Sequence, residues 1–245
     1  MVFKSLLYFT RHGLKQKLIA TETGEQGDAI TQDSYEHLKA LGTKVAPVIA
    51  SRSANVLILH SPFERTKQSA RAIADGLKEG GVKRIRLIGN PVGDIKFDKA
   101  AYERLVASAG DKPAIVKASK RERTRWLQTN EPEIFKETTE DIEHRAGPWL
   151  AKAISVALRR AQREKGLTVI SVNHVPNTDL LHYKLRQAAG LPWSEELGLE
   201  EEQGFWTGID KKGDFYLFHN GLNKKPKKVF SKSELEENLR TLNKH

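Results

Sequence analysis

The chain contains no cysteine and a single methionine in 245 residues. Disulfides and thiolate-ligated metal centres are therefore excluded, and the composition suits a reducing compartment. Long apolar runs are absent as well. The short apolar stretch around Leu6 to Phe9 is too brief for a leader core or a membrane span. The expectation is a cytoplasmic protein with no membrane partner. Aromatics make up only 7% of the chain and are not interleaved with basic residues. A stacking platform for single-stranded nucleic acid needs that interleaving, so nucleic acid is not the expected partner. No internal repeat or low-complexity linker interrupts the sequence.

What is present is an excess of positive charge. The formal net charge is +10 and the isoelectric point about 9.6, a balance that draws anions. Part of the excess is local. Lys112, Lys117, Lys120, Arg121, Arg123 and Arg125 lie close together against Asp111 and Glu122, and a second run surrounds Lys224-Lys225-Pro226-Lys227-Lys228. Both read equally as solvated surface or as anion contacts. The length allows one large domain or two small ones and a core that needs no staples.

Short β-rich runs alternate with longer helical patterns. Strands are expected at Ser5 to Phe9, Val56 to His60, Arg84 to Ile88 and Thr168 to Asn173, with a hairpin from Phe205 to Phe218 around Asp-Lys-Lys-Gly-Asp. Helices are expected over Asp33 to Ile49 with Asp33 and Glu36 as a capping box, from Ser61 as N-cap, around Ala100 to Val106, over Glu140 to Arg163, over Thr178 to Ala189, and over Ser231 to Leu242, capped by Ser233 and Glu236. Alternation of this kind predicts an α/β sandwich with a mostly parallel sheet. In such sheets ligands sit beyond the carboxyl ends of the strands.

Those ends carry chemistry. The first strand ends at Arg11-His12-Gly13. The second ends at His60-Ser61 and feeds a helix whose first turn holds Arg65. The apolar strand Val169 to Asn173 ends at His174. An arginine fork pairs two phosphoryl oxygens at once. A neutral imidazole can attack phosphorus and form a phosphohistidine, and a second histidine can stabilise the developing charge.

Three motifs in order carry a resemblance. They are Arg11-His12-Gly13, then Ser61-Pro62-Phe63-Glu64-Arg65-Thr66-Lys67-Gln68-Ser69-Ala70, then Val169 to His174. The chain resembles the histidine phosphatase superfamily, which includes the cofactor-dependent phosphoglycerate mutases, over about residues 5 to 190. The resemblance implies a three-layer α/β/α sandwich of phosphoglycerate mutase type. It further implies one domain over 1–245, with a variable basic insert at about 95–145. His12 would be the nucleophile, and Arg11, Arg65 and His174 would form the phosphate pocket. No metal or other cofactor is implied, and the partner would be a small phosphorylated substrate or a phosphoprotein. His37, His60, His144, His182 and His219 match no motif and read as structural.

The pattern also breaks. The proton donor is expected at Asp94, with Asp98 and Glu103 as rivals. Lys15 and Leu18 stand where mutase-like members carry a hydroxyl and an asparagine, leaving Lys15 to offer its charge to phosphate. Val175 replaces the glycine after the second histidine, and Asn177 and Asp179 have no assigned role. Lys117, Lys120, Arg121 and Arg123 are candidate contacts to a distal anion. The expected activity is hydrolysis of a phosphomonoester through phospho-His12. The alternatives are a mutase-like phosphotransferase, a phosphohistidine protein phosphatase, or a catalytically weak phosphate-ligand or nucleic-acid-binding protein on the same fold.

Overall fold

The computed structural model describes residues 3–14, 29–52, 55–89, 98–131, 134–162, 166–199, 202–219, 222 and 225–242. Lys15, Leu18 and Asp94 lie outside the described residues. In chain order the elements are β1 (Phe3–Arg11), α1 (Gln32–Ala50), β2 (Asn55–His60), α2 (Glu64–Glu79), β3 (Ile85–Gly89), α3 (Lys99–Ala109), α4 (Lys112–Thr129), α5 (Thr139–Ala161), β4 (Leu167–Asn173), α6 (Val175–Ala188), β5 (Gly204–Asp210), β6 (Phe215–Phe218), β7 (Lys227–Phe230) and α7 (Lys232–Leu242).

The strands form one seven-stranded sheet in the order β3-β2-β4-β1-β5-β6-β7. Its core strands β3, β2, β4 and β1 run parallel, and β5, β6 and β7 extend it antiparallel. Strands with both faces covered should read as continuous apolar runs, and β4 does so (LTVISVN), with only Asn173 not buried. The pleat sends alternate side chains to opposite layers. Leu6, Tyr8, Ile58, Ile170 and Val172 pack with Leu38, Ile49, Ile73 and Leu77 of α1 and α2. Leu7, Phe9, Leu59, Val169 and Leu217 pack with Ile154, Ala157 and Leu158 of α5, Leu185 of α6 and Leu235 and Leu239 of α7. A third cluster joins Trp126 and Leu127 of α4 to Ile142 of α5 and Leu180 and Tyr183 of α6.

Several expectations need correction. The helix α2 begins at Glu64 with Phe63 as an N-cap that makes no side-chain cap, so Ser61 is not the cap. The Ser61 hydroxyl is already engaged with Thr66 and His174. Thr31, not Asp33, caps α1 by accepting from the Ser34 amide. At α7 the reciprocal pair is Ser231 with Glu234, two residues earlier than expected. The stretch holding one expected helix contains two, α3 and α4. The edge strand β7 runs through the lysine run, where exposed Lys227 and Lys228 mask its pattern. The helix α6 starts directly after His174, three residues earlier than expected. Among the described residues, no helix is long and apolar enough to cross a membrane.

The helices α1 and α2 touch backbone to backbone. A Cβ at Gly76 would fall 1.8 Å from the Lys39 carbonyl oxygen, so an alanine there must wedge the helices apart. Gly76→Ala is expected to cost about 2–3 kcal/mol, read as a lower urea midpoint. Lys78→Ala on the exposed face of the same helix should cost less than about 0.5 kcal/mol. Equal midpoints for the two variants would refute this account of the helix crossing.

Candidate active site

Parallel pairing brings the strand ends level. Arg11 stands opposite Asn173, His60 opposite Val172, and His60 again opposite Gly89. One residue further on, the His12 amide donates to the Asn173 carbonyl at 3.1 Å. The two histidines that follow β1 and β4 thereby meet, with ring centroids 5.2 Å apart. Both are buried, as are Arg65, Ser61, Thr66 and Ser69.

The turn after β1 is held from three sides. The Gly13 amide donates to Ser69 Oγ at 2.9 Å, and Ser69 in turn donates to the Arg65 carbonyl at 2.7 Å. The Leu14 amide donates to Ser34 Oγ at 2.8 Å, and the Ser34 hydroxyl bonds Glu202. The Glu202 amide, on a left-handed backbone with φ of 66°, donates to the His12 carbonyl at 3.2 Å. A Cβ on Gly13 would come to 3.0 Å from Ser34 Cβ and 3.3 Å from Ile30 Cγ2 and Leu38 Cδ1, so the turn leaves little room for a side chain.

Hydrogen bonding fixes the state of each imidazole. His12 Nδ1 lies 2.7 Å from the Gly13 carbonyl oxygen. A carbonyl only accepts, so Nδ1 carries the proton and Nε2 is the basic nitrogen. An Arg65 Nη2–H donates to His174 Nδ1 at 3.0 Å. His174 is therefore neutral here, and its Nε2–H donates to Ser61 Oγ at 2.9 Å. Ser61 passes the chain to Thr66 Oγ1 at 2.9 Å, and Thr66 ends it on the Phe63 carbonyl at 2.7 Å. The Arg65 guanidinium also lies over the Phe63 ring, 4.8 Å from its centroid. Phe63 caps α2, and His174 caps α6. Two helix N-termini with their positive dipole ends thus adjoin the histidine pair, a setting that favours an anion.

Arg11 approaches from the other side of the sheet. Its Nη1 donates to the Leu199 carbonyl at 3.5 Å. Next to it Asp179 of α6 is wholly buried. Its Oδ2 accepts from Arg123 Nε at 3.0 Å, and its Oδ1 accepts from the Leu199 amide at 3.0 Å. Burial pushes this carboxyl upward, while Arg123, the Leu199 amide and Arg11 pull it back. Arg123 is thus turned inward to a carboxylate, and Arg121 lies 3.6 Å from Glu195. Of the two, Arg123 is committed to a buried carboxylate, whereas Arg121 stays largely exposed. Sequence reasoning gave Asp179 no role. Its signal is an acidic residue beside Leu180 and Leu181 on a helix that must bury its apolar face.

Of the acid candidates, Asp98 caps α3 by accepting from the Ala101 amide, and this bond with Lys136 nearby holds its carboxyl below the usual range. A carboxyl held ionised is a poor proton donor. Glu103 is exposed on α3 near Lys99. The motif-free His60 has Nδ1 2.8 Å from the Ser61 carbonyl oxygen.

No family sequence model matches the chain, and no curated protein matches it. Solved structures do. The Citrobacter braakii phytase superposes with a TM-score of 0.53 at 12% identity, covering 99% of this chain and 98% of that one. The apo phytase of Hafnia alvei gives 0.54 at 10% identity, with 98% and 97% covered. The mycobacterial glucosyl-3-phosphoglycerate phosphatase gives 0.53 at 13% identity, with 86% and 96% covered. This chain shares its fold with these phytases and with that phosphatase. Within that fold, the structure brings His12, Arg65 and His174 together, and sets Arg11 at the same sheet end against Asp179 and Leu199.

His182 is a further buried histidine, outside this group. His182 stacks on Phe205, with centroids 4.4 Å apart, and meets the edge of Trp193. Burial, with Arg186 adding to it, pushes its pKa down to about 3. The folded state then binds fewer protons than the unfolded state between pH 6.5 and that value. This contribution to stability is complete above pH 6.5 and is lost as the pH falls, at up to about 1.4 kcal/mol per unit. His182→Phe should flatten the acid limb of melting temperature against pH between 4 and 6.5. An unchanged slope would overturn the assignment.

Proposed function

We propose that this chain is a phosphatase that hydrolyses a phosphomonoester through a phosphohistidine on His12. The observation that carries the reading is the pair of buried histidines, one with Nδ1 committed to the Gly13 carbonyl, beside a buried arginine. The likeness in fold to proteins named phytase and glucosyl-3-phosphoglycerate phosphatase supports the same class. The 1–245 chain acts as one domain, and the segment at about 95–145, with α3 and α4, is its variable insert.

In this reading Arg11 and Arg65 pair the phosphoryl oxygens. The incoming dianion draws the Arg65 fork away from His174. Once that fork has left, His174, still donating through Nε2 to Ser61, takes a proton from solvent at Nδ1 and donates it to a phosphoryl oxygen. His12 Nε2 attacks phosphorus, the ester P–O bond breaks, and the leaving oxygen takes a proton from an acid, for which Asp94 is our assignment. Water then attacks the phosphohistidine, releasing phosphate and restoring the imidazole. Lys15 offers its charge to phosphate in this reading. No metal enters this scheme, and a cytoplasmic setting suits the cysteine-free chain.

The test is phosphate release from a panel of phosphomonoesters in the presence of chelator. His12→Ala should lose at least about a thousandfold in turnover, and His174→Ala about a hundred- to a thousandfold. Rapid acid-free quenching should trap an acid-labile phosphoryl group on His12. Turnover that survives His12→Ala sinks the mechanism. Isomerised product in place of free phosphate would mark a mutase.

A further inference from the structure

The carboxylate of Asp179 is wholly buried, yet no step above uses it. It sits on the first turns of α6, just past His174, and faces two guanidinium groups. Arg123 Nε–H reaches its Oδ2 at 3.0 Å from α4. Arg11 acts on it electrostatically from the end of β1. Both arginines also converge on a single carbonyl, that of Leu199, at 3.5 Å from Arg11 Nη1 and 3.4 Å from Arg123 Nη2. The Leu199 amide closes the arrangement on Asp179 Oδ1 at 3.0 Å.

A buried ion pair is weak evidence for stability, because desolvation offsets most of the attraction. Holding direction is a better use of it. Arg11 has a flexible side chain at a strand end, and a planar fork binds two oxygens only when its plane is set. We propose that Asp179 is a positioning residue. It fixes the Arg11 guanidinium for phosphate and ties that guanidinium to Arg123 of the insert helix α4. The inference rests on the phosphatase reading, since it gives Arg11 the phosphate as its target. By linkage, docking of α4 and phosphate binding then support each other.

The test has a sign that distinguishes positioning from bulk charge. Asp179→Asn removes a negative charge beside an anion site, and electrostatics alone would tighten phosphate binding. Asparagine cannot accept from both Arg123 Nε–H and the Leu199 amide, so one donor is left facing another. If Asp179 positions Arg11, inorganic phosphate should inhibit p-nitrophenyl phosphate hydrolysis about tenfold more weakly in this variant. An inhibition constant does not depend on how much of the sample is folded, so a merely structural role would lower the melting temperature and leave the constant alone. An unchanged or tighter constant overturns the inference. Should Asp179→Asn not fold, Arg123→Lys keeps the charge and loses the fork. It should weaken phosphate inhibition about threefold, and an unchanged constant there overturns the inference equally. A wild-type protein that neither hydrolyses p-nitrophenyl phosphate nor gains thermal stability from inorganic phosphate overturns the phosphatase reading and the inference with it. Wild-type turnover with an unmoved Asp179→Asn constant overturns the inference alone.

Discussion

The site depends on the parallel register between β1 and β4. Arg11 pairs with Asn173, so the residues that leave the two strands, His12 and His174, leave at the same height. The period of a strand is two, and a slip by one residue would send every side chain to the opposite face. Here a slip would exchange Leu7 and Phe9 with Leu6 and Tyr8, which serve different helical layers. It would also break the bond from the His12 amide to the Asn173 carbonyl. The apolar patterning of two strands thus fixes the distance between two imidazoles distant in sequence. Core packing and site geometry are the same constraint seen from two ends of the sheet.

A second constraint is electrostatic. The sheet end gathers Arg11, Arg65 and the start of two helices, all favouring negative charge. Without an anion, such a group must be held by neutral acceptors and by few carboxylates. His174 Nδ1 accepts from Arg65 and the Leu199 carbonyl accepts from Arg11, so two of the acceptors at this sheet end carry no net charge. The fully buried carboxylate stands behind Arg11, on the α6 side. Neutral holders release a guanidinium to an arriving dianion more readily than a directly paired carboxylate would.

Much of this was legible in the sequence because it rests on short motifs at strand ends. The run SLLYF, the run VLILH and the run TVISVN each announce a covered strand, and the residues after them are the site. What was not legible is of three kinds. Caps moved by two residues, because Ser61 is spent on His174 and because Thr31 offers a better position than Asp33. The helix α4 was hidden by its own charge. Its pattern from Lys112 to Thr129 is rich in lysine and arginine, while its anchors Trp126 and Leu127 are buried with Phe135 and with residues of α5 and α6. Finally, the partnership of Arg123 with Asp179 joins residues from two helices, and no local rule of spacing reports it.

The same hidden contact explains how the basic insert is used. A surface run of Lys112 to Arg125 reads as a patch that meets anions directly. The structure divides that run by face. Arg125 lies against Glu122 and Glu131, and Arg121 lies near Glu195, so part of the charge is answered locally. Arg123 turns inward and joins the layer behind Arg11. Arg11 and Arg123 share the Leu199 carbonyl, and the Asp179 carboxylate holds Arg123 directly and acts on Arg11 electrostatically. Within this run Arg123 is held by fixed acceptors, whereas the exposed charges are screened by salt within about 8–10 Å.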